Sequence, residues 1–221
     1  MHWDNEYRQQ KHVWGKGPSE LAVFAVEYLK QHPLPAKIPC IIDLGCGYGR
    51  DVFYMAQNTG CCTIGIDKSP EAIKMARKGH PKKSQSEIRF ERQDFLELPT
   101  ENKYDAVCAS NIYHLLGLEE RARFRHIIKS ILNPQGMLFM STMSVRDPQH
   151  YGKGRQVAGE INSFVDKVYL HLCTEEELRE HFGFLTIREL QENPYDEPRS
   201  NGETHHHMIW LMAGQKSSLT I

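Results

Sequence analysis

Residues 41–52 read Ile-Ile-Asp-Leu-Gly-Cys-Gly-Tyr-Gly-Arg-Asp-Val, an apolar run followed by three glycines at alternate positions. The apolar run begins at Ile38 and continues to Leu44, the pattern of a strand covered on both faces. Asp51 to Ala56 resumes as a helix, so the stretch is strand, glycine turn, helix. Glycines so placed let something approach the backbone closely enough to exclude side chains.

The same alternation extends outward. Upstream, Leu21 to Leu29 has helical spacing, Ser19 is placed to cap it, and the prolines of 32–35 stop it. Downstream, Cys62–Ile66 is a second strand, and Ser69 and Pro70 open a second helix. Strands follow at 88–92 and 104–110, then a helix at 118–132, a turn at 133–136 and a fifth strand at 137–143. From 144 to 173 no clean period appears, and this segment reads as an insertion over a site. Thr174-Glu175-Glu176-Glu177 is a capping box for a helix through Phe182. Strands at 185–192 and 207–213 close the chain as a hairpin around a Pro-containing polar loop, within which Asn193-Pro194-Tyr195 reads as a turn. This order implies one α/β domain over 1–221: a doubly wound, mostly parallel sheet with an antiparallel C-terminal hairpin. Residues 1–35 form a helical cap, and ligands are expected beyond the carboxyl ends of the strands.

Composition narrows the partners. With 27 Lys and Arg against 28 Asp and Glu, the 221-residue chain carries a net charge of −1, which argues against affinity driven by nucleic acid. The cluster Lys74, Arg77, Lys78, Lys82 and Lys83 reads as a solvated helix end rather than an RNA patch. The six cysteines form no Cys-x-x-Cys pair, Cys61-Cys62 opening a buried strand, and no apolar stretch approaches the roughly 18 residues of a membrane span. A reduced, soluble, cytoplasmic chain is the expectation.

Three ligands compete for the glycine turn. A phosphate P-loop needs Lys-Ser/Thr after its last glycine, and neither follows here. The dinucleotide fingerprint matches Gly45 and Gly47, but its third glycine falls where this chain has Arg50. S-adenosylmethionine, which lacks a pyrophosphate, remains. Here Asp-Leu-Gly-Cys-Gly-Tyr-Gly at 43–49 resembles motif I of the class I S-adenosylmethionine-dependent methyltransferases. The likeness continues in order through Ile66-Asp67, Gln93-Asp94-Phe95, Asn111 and the turn 132–136, spanning roughly 40–143. It implies a seven-stranded Rossmann-like sheet, S-adenosyl-L-methionine as donor and S-adenosyl-L-homocysteine as product.

Spacing and resemblance together distribute the donor contacts. Gly45, Gly47 and Gly49 face the methionine and ribose portions, and Asp67, twenty residues after Gly47, can accept both ribose hydroxyls, with Lys68 beside it. Asp94 can accept from the adenine amino group. The resemblance further implies that Phe95 holds the adenine, that Asp43 lies behind the amino end and that Asn111 contributes backbone to it. Arg50 and Asp51 are each a candidate for the carboxypropyl group or a solvated helix-start residue. Trp3, Tyr7 and Trp14 are spaced too widely for one narrow helix face and are expected to cap the donor.

Methyl transfer from a sulfonium is an in-line displacement driven largely by alignment, so a base is optional. His114, after the fourth strand, is the first candidate base; its other reading is a pocket wall. Tyr113, whose other reading is core, and Tyr151 are candidate lining for a small-molecule methyl acceptor. The strings Trp14-Gly15-Lys16-Gly17-Pro18-Ser19 and Tyr151-Gly152-Lys153-Gly154, with Phe164, are similar to tellurite-resistance and thiopurine-type methyltransferases. In His205-His206-His207 only the outer two share a strand face; two ligands do not make a structural zinc site, no metal is assigned, and a solvated strand entrance is expected. Protein or RNA methylation, a non-catalytic binding module and NAD-dependent chemistry remain the alternatives.

Overall fold

A computed structural model describes residues 2–9, 14–15, 17–79, 86–198 and 204–218. Strands β1 (Cys40–Leu44), β2 (Cys62–Asp67), β3 (Ile88–Arg92), β4 (Tyr104–Ser110) and β5 (Leu132–Met143) are parallel. With β9 (Leu185–Pro198) and β10 (Thr204–Lys216) they form a seven-stranded sheet ordered β3-β2-β1-β4-β5-β10-β9, in which both β10 pairings are antiparallel. The order reverses between β1 and β4, which opens a crevice at their carboxyl ends. The expected fold is therefore the observed one.

Alternate residues of the central strands feed two apolar layers. Ile42, Leu44, Val107, Leu138 and Met140 pack against α5 (Leu118–Ile131) and α6 (Glu175–His181). Ile41, Ala106, Cys108 and Phe139 pack against α2 (Glu20–Gln31) and Met55 of α3 (Arg50–Thr59). This two-sided burial is why β1 reads as unbroken apolar sequence. The remaining helices are α1 (His2–Gln9) and α4 (Pro70–Gly79). Cap chemistry fixes the helix starts. Ser19 Oγ accepts from Ala22 N at 3.2 Å, Ser69 Oγ from Ala72 N at 3.2 Å, and Thr174 Oγ1 from Glu177 N at 3.2 Å.

Four expectations change in detail. Ile38 lies outside β1 and is exposed, because Pro39 has no N–H to give a ladder. The turn at 133–136 is an excursion looped out of β5, between Leu132 paired to Tyr104 and Met137 paired to Ala106. Asn133 Nδ2 pins it to Asp105 Oδ1 at 2.9 Å. Asn193-Pro194-Tyr195 is strand rather than turn: β9 is the sheet edge, where a proline is tolerated. Residues 144–173 are not irregular throughout. They contain a three-stranded antiparallel sheet, β6 (Arg155–Gln156), β7 (Ser163–Val165) and β8 (Tyr169–His171). The excursion leaves and returns at one point, Ser144 bridging to Cys173.

A buried polar network fastens this excursion to the domain. Arg121 of α5 donates to Tyr169 Oη at 2.6 Å, Glu160 Oε2 at 3.0 Å and Leu116 O at 2.8 Å. Ser163 Oγ meets Glu160 at 3.1 Å and His171 Nδ1 at 2.8 Å, and His171 Nε2 meets Glu177 Oε1 at 2.6 Å. Glu177 thus leaves its expected place in the capping box to bond the insertion. No helix among the described residues is long and apolar enough to cross a membrane.

Candidate functional site

At the glycine turn all three glycines are left-handed, with φ of 68° at Gly45, 55° at Gly47 and 83° at Gly49. Two of them are bare for different reasons. A Cβ on Gly49 would stand 2.7 Å from the Phe90 ring and 3.2 Å from Ala76, so this glycine serves the packing of α3 and α4 on β3. It does the work of the dinucleotide fingerprint's third glycine one residue early. A Cβ on Gly47 would meet only the Tyr7 hydroxyl, at 2.9 Å. Gly47 therefore faces the crevice, and the sequence-based role common to all three glycines divides.

Asp67, at the end of β2, accepts from Gly47 N at 2.9 Å through Oδ2 and from Ser69 N at 2.8 Å through Oδ1. It shapes the turn and the start of α4, and each oxygen keeps a lone pair for a further donor. Asp43 is buried beneath the turn, and Asp51 opens α3, where it accepts from Ser19 N and Ser19 Oγ, both at 2.7 Å. Burial, then Asp51 and Asp67 beside it, push the Asp43 carboxyl well above the ordinary range. Burial likewise raises that of Asp67. With Asp43 held toward its neutral form, Asp51 and Asp67 are the acids around the turn that oppose a pyrophosphate and favour a ligand with cationic groups.

Across the crevice, Asn111 takes φ of 54° directly after β4 and donates its N–H to Ser141 Oγ at 3.0 Å. Ser141 Oγ donates in turn to Asn111 Oδ1 at 3.1 Å. Asp94 caps a short turn of 3₁₀ helix by accepting from Leu96 N at 3.0 Å. Phe95 packs edge-on against Phe124 at 6.0 Å between ring centroids, and Lys68 is exposed. These residues follow the carboxyl ends of β2, β3 and β4.

The N-terminal residues roof the turn. Asp4 of α1 accepts from Ser69 Oγ at 2.8 Å, which seats α1 on the start of α4. Tyr7 is buried beside Tyr48 and Ala72, with Trp3 and Trp14 packed against them. Tyr48 Oη donates to Gly15 O at 2.6 Å and accepts from Trp14 N at 3.1 Å. Arg50 donates to the carbonyls of Trp14 and Gly17. Arg50 is therefore committed to strapping the N-terminal segment down, a correction to its carboxypropyl reading. Lys16 lies outside the described residues.

The acceptor side corrects more. Tyr113 does not line a pocket: it is fully buried between Phe124 and Phe182, and its hydroxyl accepts from Arg125 Nη1 at 3.0 Å and meets His181 Nδ1 at 3.0 Å. Tyr151 stands half-exposed on the insertion against Phe164, donating to Asn162 Oδ1 at 3.2 Å. His114 is buried, and burial first, then His150 and His207, hold its pKa down to about 3. So weak a proton acceptor suits a pocket wall better than a base.

The sequence reading also missed a cluster. His207 is buried, not solvated. Its Nδ1 meets Asp147 Oδ2 at 3.1 Å, and His150 Nδ1 meets Asp147 Oδ1 at 2.9 Å. His206 points the other way and pairs with exposed Asp196 at 2.6 Å. The alternation of the three histidines was legible, but their partners at 147 and 150 were not. Arg77, assigned to a solvated basic face, instead donates to Phe90 O at 2.7 Å through Nη2, and Lys82 and Lys83 lie outside the described residues.

Residues 40–197 match the family profile described as Methyltransferase domain. The chain belongs to the class I S-adenosylmethionine-dependent methyltransferases. Among solved members of this fold, the methyltransferase carries a likeness to 1,6-didemethyltoxoflavin-N1-methyltransferase of Burkholderia thailandensis, whose crystal structure holds S-adenosylhomocysteine. The TM-score is 0.65 at 19% identity, over 98% of this chain and 86% of that one. TehB of Haemophilus influenzae gives 0.65 at 18% identity, over 89% of this chain and 61% of that one. By sequence, the methyltransferase is 41% identical to ribosomal RNA small subunit methyltransferase J of Coxiella burnetii, over 69 residues, 31% of this chain and 25% of that protein. It spans less than half the length of the curated relatives it matches.

Proposed function

We propose that this methyltransferase transfers a methyl group from S-adenosylmethionine, bound at the glycine turn, to a small soluble nucleophile held beneath residues 144–173. The carrying observation is the Asp67 carboxyl accepting from Gly47 N among three left-handed glycines, with Asp51 at the start of the following helix. A sulfonium and an α-amino group are cations that such acids favour. In this reading Asp67 orients the ribose, Asp94 and Phe95 take the adenine, Asn111 borders the amino end, and Tyr7 and Trp14 cap the donor. Lys68 stands at the solvent rim. Transfer then rests on in-line placement and exclusion of water rather than on a covalent intermediate.

Titration calorimetry with S-adenosylhomocysteine and, separately, with NAD tests this. Binding of the first and not the second is expected; the reverse overturns the reading. The Coxiella relative gives RNA methylation a specific claim as second reading. A methyl-acceptor screen with small metabolites on one arm and total RNA on the other separates the two.

A further inference from the structure

We propose that Asp147, His150 and His207, with His114 behind them, bind one divalent transition-metal ion of the zinc class on the acceptor side of the sheet. The donor atoms of Asp147, His150 and His207 all lie within 4.8 Å of one another. The 2.9 and 3.1 Å separations from the carboxylate to the two imidazoles approach the spacing of neighbouring donors on one ion, about 3.3 Å in a tetrahedral site with 2.0–2.1 Å bonds. The His150 and His207 rings lie nearly parallel, 18° apart with centroids at 5.1 Å, so both present donors to the same region.

An independent observation points to a ligand. His114 is 5% exposed, its Nδ1 is buried without a hydrogen-bond partner, and the groups that act on it electrostatically are His150, His207 and Asp147, with His171 the weakest. A buried imidazole nitrogen left unpaired is destabilising, and a nearby ligand can satisfy it. A second such group among the described residues, His171, Cys173 and Glu177, already has both ring nitrogens of its histidine in hydrogen bonds, to Ser163 and Glu177.

The donor chemistry sets the class of ion. Two or three imidazoles with one carboxylate suit zinc, iron, nickel or copper, whereas calcium and magnesium require oxygen ligands. The place sets its use. His114 follows β4, Asp147 follows β5, and His207 lies on β10 two residues before Ile209, which pairs with Met143 at the end of β5. Resting on the methyl-transfer reading, a hydroxyl or thiol acceptor bound to the ion loses its proton to solvent near neutral pH. Its lone pair then forms the new bond to the methyl carbon as the sulfonium C–S bond breaks, and S-adenosylhomocysteine leaves.

The test is calorimetry of the full chain, stripped with a chelator, against zinc chloride alone. One ion per chain is expected, with affinity reduced about 100-fold in His150→Ala and His207→Ala and unchanged in His206→Ala, whose ring faces away. His207 is buried and its variant risks misfolding; His150 sits on a turn with its side chain 25% exposed, and S-adenosylhomocysteine binding checks that His150→Ala is folded. Absence of stoichiometric zinc binding overturns the proposal, as does equal affinity in His150→Ala and the parent. Either result with S-adenosylhomocysteine binding intact leaves the donor assignment standing and removes only the metal.

Discussion

The two ends of the crevice are built differently. Around the donor, the groups that shape the turn come from consecutive elements: glycines 45–49 after β1, Asp67 and Ser69 after β2, Asp94 after β3. Their contacts run largely through backbone N–H groups a few residues from a strand end. On the acceptor side, Asp147 and His207 meet across 60 positions, and Arg121 reaches 39 positions to Glu160 and 48 to Tyr169. Side chains make these contacts, and burial gives them weight. The glycine-turn end is thus a local motif fitted to a general fold, while the end under residues 144–173 is an assembly that exists only once the sheet and that segment have closed.

This contrast separates the consequences of substitution. The largest effect is expected from Glu160→Ala, which leaves the Arg121 guanidinium, 2% exposed, without its carboxylate partner. Breaking such a pair costs about 3–5 kcal/mol, which lowers the melting temperature by on the order of 10 °C in a chain of this size. S-adenosylhomocysteine affinity of the folded protein should not change; a parallel loss of affinity would mean that the two ends are coupled.

Gly49→Ala comes next. Its Cβ collides with Phe90, and its φ of 83° penalises any side chain. Together these cost about 2–4 kcal/mol. Gly47→Ala meets only the movable Tyr7 hydroxyl, so thermal melts should show a smaller loss of stability, while calorimetry shows the larger loss of donor affinity. Equal stability losses in the two variants would refute the division of labour between these glycines.

For Asp67→Ala, loss of charge-assisted hydrogen bonds worth about 1.5–3 kcal/mol predicts a 10- to 100-fold weaker S-adenosylhomocysteine complex. Parent-like binding would withdraw the ribose role. Asp43 carries the smallest effect. Its carboxyl is raised in the folded state by burial and by Asp51 and Asp67. The stability it contributes is complete below its unfolded pKa near 3.9 and falls as pH rises toward the folded value. Asp43→Asn should therefore flatten the decline from pH 4 toward neutrality and raise the melting temperature at neutral pH. Melts across pH that show a steeper decline would contradict the assignment.

Helix caps at Ser19, Ser69 and Thr174, the glycine turn and the parallel strands were legible because each depends on neighbours within a few residues. Asp67 was legible for the same reason. Gly65, whose Cβ would strike Cys46, Val52 and Phe90 at 2.8–2.9 Å, carries no such signature, since its neighbours come from three elements. Arg50 was misread because the carbonyls that engage it belong to residues 14 and 17, more than 30 positions away. For the histidine cluster, the only sequence signals were an Asp-x-x-His at 147–150 and a His-x-His at 205–207. Neither says that it meets the other.

The sequence by itself determined the fold class and the donor end. Apolar periodicity and close-range caps are set by backbone geometry that repeats every two or 3.6 residues, and the glycine turn takes its shape within a few residues of one strand end. Only the tertiary structure decided that Tyr113 is core, that Arg50 is a strap and that Asp147, His150 and His207 meet within electrostatic reach of His114. Those outcomes depend on which distant side chains burial forces together, and spacing along the chain does not encode that distance.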